Sequence, residues 1–224
     1  MDGDALYDIL IGSPSGGDDG VGAAYLVLGV ATPSSLALAV SDAVFTGEAS
    51  IGDYYAGSSV SGAGDVDGDG YDDAIVGCPY RTGGFGYLFF GSASMTSRST
   101  SAGDAAFQGE ADGDQAGLSV AAAGDVNTDG FDDVLIGANS NSGAASHAGS
   151  AYVVLGSGAI GSISLSAADA IYSGETDGDY AGGAVAPAGD VDSDGYPDIL
   201  VGAGSSSAAG AAAGATYLML GTGL

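Results

Sequence analysis

Apolar residues along this chain fall in short runs closed by glycine. GAAYLVLG, FGYLFFG, SAYVVLG and ATYLMLG end at Gly29, Gly91, Gly156 and Gly221. Runs of this length, apolar and aromatic-rich between glycines, mark buried strands. Helical periodicity is absent, and glycine is too frequent for helices. A second set of runs, ILIG, AIVG, VLIG and ILVG, follows stretches dense in aspartate. The pattern predicts strand, Asp-rich loop, strand, Gly/Ser loop, strand, variable loop, strand.

That order repeats. AGDVDGDGYDDAIVGCP (63–79), AGDVNTDGFDDVLIGAN (123–139) and AGDVDSDGYPDILVGAG (188–204) align without gaps, and DGDALYDILIGSP (2–14) is a fourth, shortened copy. Other landmarks keep step. Gly47-Glu48, Gly109-Glu110 and Gly174-Glu175 stand upstream, followed by Ala56-Gly57, Ala116-Gly117 and Ala181-Gly182. Self-similarity at this period signals a repeat architecture. Four strands in about 60 residues, repeated, predict an all-β fold: β-propeller blades of four antiparallel strands, about three and a half of them. A parallel β-helix is the main rival, with repeats that are usually shorter. The expected organisation is a single domain over 1–224, with a partial repeat at 1–44 and repeats at 45–104, 105–168 and 169–224.

Charge narrows the function. The 224 residues carry 29 acids against only 2 Lys and Arg, a net charge of −27. Nothing here could neutralise phosphates, so nucleic acid is excluded as a partner. An anionic membrane surface is disfavoured likewise. Of the acids only Glu48, Glu110 and Glu175 are glutamates, and most aspartates sit in clusters. A merely solubilising surface would mix and scatter both types. Clustered aspartate concentrates charge where a cation can neutralise it.

The clusters have ligand spacing. In the first full loop, Asp65, Asp67, Asp69 and Asp73 occupy positions 1, 3, 5 and 9. Gly70 at position 6 permits a sharp turn, and the Tyr71 carbonyl at position 7 adds a neutral oxygen. Calcium takes six to eight such hard oxygen ligands in a flexible shell. The second loop offers Asp125, Asn127, Asp129, the Phe131 carbonyl and Asp133; the third offers Asp190, Asp192, Asp194, the Tyr196 carbonyl and Asp198. Asn127 lowers the ligand charge of its loop, which predicts weaker binding there. An EF-hand would need Glu at position 12, but Val76, Ile136 and Val201 stand there inside strand-like runs. The alternative is an Asp/Gly turn without metal. Electrostatics opposes it: two carboxylates about 4 Å apart repel by roughly 4 kcal/mol at an effective dielectric near 20. Three calcium sites are therefore expected. Asp2, Asp4 and Asp8 match positions 3, 5 and 9 of a weak or partial fourth, with Ala5 in place of the turn glycine.

These residues resemble the FG-GAP repeats of integrin alpha subunits and of many bacterial and archaeal surface proteins. Ala56-Gly57, Ala116-Gly117 and Ala181-Gly182 fall where that family has Phe-Gly. Gly12-Ser13-Pro14 and Gly77-Cys78-Pro79 match its Gly-Ala-Pro element, and Gly137-Ala138-Asn139 and Gly202-Ala203-Gly204 do so more loosely. The resemblance implies a propeller, usually of seven blades, with calcium loops on one face. It also implies extracellular adhesion or ligand binding, usually on the opposite face. The Phe-Gly aromatic is lost here. Expected partners are a protein or glycan ligand, with no membrane insertion. An unpaired edge strand invites association, so a homo-oligomer or a part of a larger propeller is expected. A small four-bladed ring is the third arrangement.

Little else suggests chemistry. His147 is the only histidine, in a loop rich in Gly, Ala and Ser, and no His-based transition-metal site follows. Cys78 is the only cysteine and is expected to fill a small buried space. Arg81 and Arg98 are expected to be solvated, and the tyrosines to pack between strands. The recurring Glu48, Glu110 and Glu175, with Asp53, Asp112, Asp114, Asp177 and Asp179, admit a second cation site or a capped turn. No catalytic residue is identified. Extracellular modules bind calcium at about 0.1 to 1 mM, and cytosolic calcium would leave such loops empty. The expected location is therefore extracellular or the cell surface. The start, Met1-Asp2-Gly3-Asp4, lacks a signal peptide's basic region, so a mature or excised piece is expected. Alternatives to a non-catalytic binding module are an architectural subunit of a surface layer or fibre and a polysaccharide-acting propeller enzyme.

Overall fold

The fold is seen in a computed structural model, which describes residues 1–16, 20–30 and 37–221. Each apolar run becomes a strand. The first sheet holds β1 (Ile9–Ser13), β2 (Ala23–Val27) and β3 (Ala43–Thr46). The second holds β4 (Ser59–Gly64), β5 (Asp73–Cys78) and β6 (Phe85–Phe89). After a two-residue strand β7 (Arg98–Ser99), β8 (Ala105–Gln108) completes it. The third holds β9 (Ala116–Gly124), β10 (Asp133–Ala138) and β11 (Ser150–Val154); after β12 (Ile163–Ser164), β13 (Ala170–Ser173) completes it. The fourth holds β14 (Ala181–Gly189), β15 (Asp198–Ala203) and β16 (Ala215–Met219).

Consecutive main strands pair antiparallel, as short loops require. The short strands break the pattern. β7 pairs parallel with β3, and β12 pairs parallel with β8, so each lies on the outer strand of the preceding sheet. Each is too short to show as a periodic run in the sequence. The all-β expectation holds, and the sheets are propeller blades whose inner strands β4, β9 and β14 succeed one another side by side. Each blade starts at its Ala-Gly pair or just beyond. The run that opens one sequence repeat (Ala105–Gln108, for example) is therefore the outer strand of the blade before it.

Alternation builds the core between blades. Side chains of a strand point to opposite faces at period two. On the first interface Leu26 and Phe45 meet Val76 and Phe89, with the two phenyl rings stacked at 4.1 Å. On the second, Ile75, Leu88 and Phe107 meet Val134, Ile136 and Tyr152. On the third, Leu135 and Val153 meet Val185, Ile199 and Val201. A middle strand such as β5 has a blade on both sides. That is why AIVG reads as a continuous apolar run, with every residue of β5 buried.

Glycine sets how closely blades approach. A Cβ on Gly77 would stand 1.9 Å from the carbonyl oxygen of Gly117 in the next blade. Gly12 stands in the same relation to Gly57 at 2.2 Å, and Gly137 to Gly182 at 2.0 Å. Gly57, Gly117 and Gly182 are themselves left-handed, with φ of 80, 83 and 78°, a region that glycine enters without steric cost. The glycine of the Ala-Gly pair and the first glycine of the Gly-Ala-Pro element are thus two halves of one junction.

Candidate metal centre

Each Asp-rich loop joins the inner strand of a blade to its second strand. The loops therefore lie at one end of the sheets, and the Ala-Gly turns at the other. In the loop between β4 and β5, Asp65 folds the chain over itself. Its carboxylate accepts from the Gly68 N–H at 2.8 Å and the Gly70 N–H at 3.0 Å. Asp67 accepts from the Asp69 N–H at 3.1 Å, and Asp69 from the Tyr71 N–H at 2.9 Å. These turns draw the three side chains inward, and Asp65, Asp67 and Asp69 present oxygen atoms within 4.8 Å of one another.

The other two full loops fold alike. Asp125 accepts from Asp129 and Gly130, each at 2.9 Å, and Asp129 accepts from Phe131 at 3.0 Å. Asn127 donates its side-chain amide to Asp129 at 2.9 Å, relieving repulsion that a carboxylate would add. Asp190 accepts from Asp194 at 3.1 Å and from Gly195 at 3.0 Å, and Asp194 accepts from Tyr196 at 2.9 Å. There Asp190, Asp192 and Asp198 form the close oxygen group. At the chain start, Asp2 accepts from Asp4 at 3.2 Å and Asp4 from Leu6 at 2.8 Å, so the partial loop keeps two of these turns.

The ninth position does something the spacing alone did not reveal. Asp73 is fully buried and spends one oxygen on the Val66 N–H at 2.9 Å and the other on the Gly91 N–H at 2.8 Å. Asp133 does the same with Val126 and Gly156, each at 2.8 Å; Asp198 does so with Val191 at 2.6 Å and Gly221 at 2.8 Å. Asp8 accepts from Gly29 at 2.8 Å. Each ninth residue therefore ties its loop to the glycine that closes the third strand. A Cβ on Gly91 would lie 2.3 Å from the Asp72 carbonyl oxygen, which explains the glycine at the end of every run. Burial pushes the Asp73 carboxyl up to about 7 and that of Asp133 up to about 6, against the lowering effect of those N–H donors.

Neighbouring loops touch. Asp132 accepts from the Asp65 N–H at 2.9 Å and donates its own N–H to the Asp65 carbonyl at 3.0 Å. Gly68 lies against the Phe131 ring, and Gly3 against the Tyr71 ring. The loops form one continuous acidic rim. The donor set suits a hard divalent cation: carboxylate oxygens converge in the first and third full loops, and neutral N–H groups already orient the acids.

At the opposite end, the recurring acids make capped turns. Asp53 is buried and binds Arg81 at 3.2 Å, the Tyr87 hydroxyl at 2.8 Å and the Thr100 hydroxyl. Asp114 accepts from the Ala111 N–H and the Asn141 amide, and Asp179 from the Glu175 and Thr176 N–H groups. The Asp179 carboxyl is held below its ordinary range, chiefly by the Thr176 N–H. Tyr152 donates to Glu110 at 2.6 Å.

Two expectations need correction. Arg81 is not simply solvated: it pairs with Asp53 and lies over the Phe85 ring at 4.2 Å. Arg98 pairs with Asp104 at 2.9 Å and faces the Phe89 ring at 5.3 Å. The Arg81 pairing gives the buried Asp53 an opposite charge, which offsets part of the cost of burying a carboxyl group. The tyrosines also divide. Tyr87 and Tyr152 are buried, whereas Tyr54, Tyr55, Tyr80 and Tyr180 are exposed at the Ala-Gly end. Tyr55 and Tyr80 meet edge to face at 5.1 Å. Cys78 is buried, as expected, with its thiol donating to the Tyr54 carbonyl at 3.3 Å and burial raising its pKa. His147 is exposed near the Tyr180 ring.

Residues 116–154 and 181–219 each match the FG-GAP repeat. These spans run from the start of the inner strand to the end of the third, the part of a blade that contains the Asp-rich loop. The chain is 31% identical to integrin alpha pat-2 of Caenorhabditis briggsae and 30% identical to integrin alpha pat-2 of Caenorhabditis elegans. Each comparison takes in 92% of this chain and 17% of the relative, so the chain spans about a sixth of the length of the curated relatives it matches. No helix among the described residues is long and apolar enough to cross a membrane.

Proposed function

Because this chain belongs to the FG-GAP repeat family, we propose that it is a calcium-stabilised, extracellular β-propeller module that binds a protein or glycan ligand without catalysing a reaction. The observation that supports the calcium assignment is the in-register folding of three loops, two of which gather three carboxylates each, Asp65, Asp67 and Asp69 in one and Asp190, Asp192 and Asp198 in the other. Asp65, Asp67, Asp69, the Tyr71 carbonyl and Asp73 would hold the first ion. Asp125, Asn127, Asp129, the Phe131 carbonyl and Asp133 would hold the second. Asp190, Asp192, Asp194, the Tyr196 carbonyl and Asp198 would hold the third. Asp2, Asp4 and Asp8 supply a weaker partial site. A bound cation removes the mutual repulsion of each cluster and fixes the link between first and second strands.

The ligand face is assigned to the other end of the blades. Exposed Tyr54, Tyr55, Tyr80 and Tyr180 give it aromatic surface. Tyr55 and Tyr180 hold left-handed backbone, with φ of 64 and 54°, which costs of order 1–3 kcal/mol each and concentrates at binding sites. The localisation follows from affinity: loops of this kind fill at extracellular calcium levels.

Calcium titration with melting as the readout tests this. EDTA should lower Tm strongly, calcium should restore it, and magnesium should restore little, because it dehydrates reluctantly and demands a tighter octahedron. Equal melting in EDTA and calcium would refute the assignment.

A further inference from the structure

The first two full loops are joined through their ligand-bearing segments, and the second and third are joined differently. Asp132 stands between the Phe131 carbonyl and Asp133, two of the donors assigned to the second ion. Its carboxylate accepts from the Asp65 N–H at 2.9 Å, and its own N–H donates to the Asp65 carbonyl at 3.0 Å. Asp132 therefore grips both backbone groups of Asp65, the first of the ligands assigned to the neighbouring loop. The Phe131 ring makes a second contact: a Cβ on Gly68 would stand 2.5 Å from it. Gly68 lies between Asp67 and Asp69, where the other loops have Thr128 and Ser193. In the third loop Pro197 takes the position of Asp132. Proline has neither a carboxylate nor an N–H, so the same grip on Asp125 cannot form. The packing differs accordingly. A Cβ on Gly64 would lie 2.1 Å from the Asp132 carboxylate, whereas one on the equivalent Gly124 would lie 3.4 Å from the Pro197 ring.

We propose that Asp132 couples the first two calcium loops, so that an ion in one raises the affinity of the other, while the third loop stands outside this link. The inference rests on the calcium reading above and adds how those sites influence one another. An ion held by Asp65, Asp67 and Asp69 fixes Asp65. The Asp132 grip then fixes residues 131–133, which supply two donors to the second ion. A segment already ordered costs less entropy when its ligand arrives, and the coupling is reciprocal. The second loop has the most to gain. Among the described residues, three-carboxylate groups form in the first and third full loops, and Asn127 leaves the second one acid short.

Each loop carries its own reporter, because Gly70, Gly130 and Gly195 donate their N–H to the first aspartate of their loops. Calcium titration of the isotope-labelled chain, followed by NMR through these three amides, reads the loops separately. In Asp132→Ala the calcium concentration at half-saturation of Gly130 should rise about tenfold, within the range usual for coupled sites, while that of Gly195 stays unchanged. Asp132→Asn keeps an acceptor for the Asp65 N–H and should titrate nearly as the parent does. Asp67→Ala combined with Asp69→Ala disables the first loop. It should raise the Gly130 midpoint about tenfold in the parent and little where Asp132 is already alanine. Direct repulsion between two ions acts in both backgrounds and cancels in that cycle. A Gly130 midpoint unmoved by Asp132→Ala would overturn the proposal. So would an asparagine variant as weak as the alanine one, or a first-loop defect that weakens the second loop equally with and without Asp132. The parental Gly195 midpoint shows that each variant is folded. Failure of the calcium reading itself would look different: none of the three glycine amides would move with calcium.

Discussion

Asp73 answers to two competing demands. A cation bound among Asp65, Asp67 and Asp69, as proposed, would favour its carboxylate, while burial favours the acid form, and its carboxyl is pushed up to about 7 from an ordinary 3.8. A folded pKa raised above the unfolded value contributes stability that is complete below the unfolded pKa and is lost as pH rises through the folded one. In chelator, therefore, Asp73 and Asp133 should make the protein less stable between about pH 4 and pH 7. Calcium held by these residues, as proposed, would reverse the sign, because ligation requires the ionised form and releases the proton. The expected outcome is a Tm that falls with rising pH in EDTA, and a gap between the calcium and EDTA curves that widens over the same range. Melting at several pH values in both buffers measures it; parallel curves would show that these acids are not linked to the metal.

Among the elements, the junction glycines decide whether blades can meet at all. In Gly77→Ala the new methyl would face the Gly117 carbonyl oxygen at 1.9 Å. Both partners are backbone, so no rotamer change relieves the clash, and a loss of about 3 kcal/mol or more is expected. Gly202→Ala is the matched control: its nearest neighbour lies at ordinary contact distance, and its stability should change by less than about 1 kcal/mol. Urea unfolding in calcium measures both. Equal effects would mean that the close approach between β5 and the Gly117 turn does not hold the second blade to the third. The same junction explains why alanine precedes that glycine: Ala56, Ala116 and Ala181 are buried and bridge to Gly22, Gly84 and Gly149 of the preceding blade.

For the molecule as a whole, a net charge of −27 on 224 residues sets the balance of forces. Much of it is concentrated on one rim, where contacts such as Asp132 with Asp65 place the loops side by side. Without cations the blades, held by apolar faces and glycine seams, must also carry that repulsion. Screening and ligation can be told apart. About 1 M sodium chloride shrinks the Debye length to about 3 Å and should raise Tm in EDTA. Millimolar calcium should raise it more, because it also supplies bonds. Full rescue by sodium chloride would reduce the ions to a general counter-ion effect.

The sequence by itself determined the strands, the repeat and the aspartate spacing of the loops, because each is written in local order: short apolar runs, glycine stops, and aspartates at fixed offsets. It could not decide what Asp73 does with its two oxygens, since Gly91 lies a whole strand away. Nor could it pair Arg81 with Asp53, or divide the tyrosines between core and surface. It also missed β7 and β12, because a two-residue strand has no period and forms only where the preceding blade offers an edge. Those choices depend on which segments folding brings together, and blade-on-blade packing, rather than local pattern, makes them.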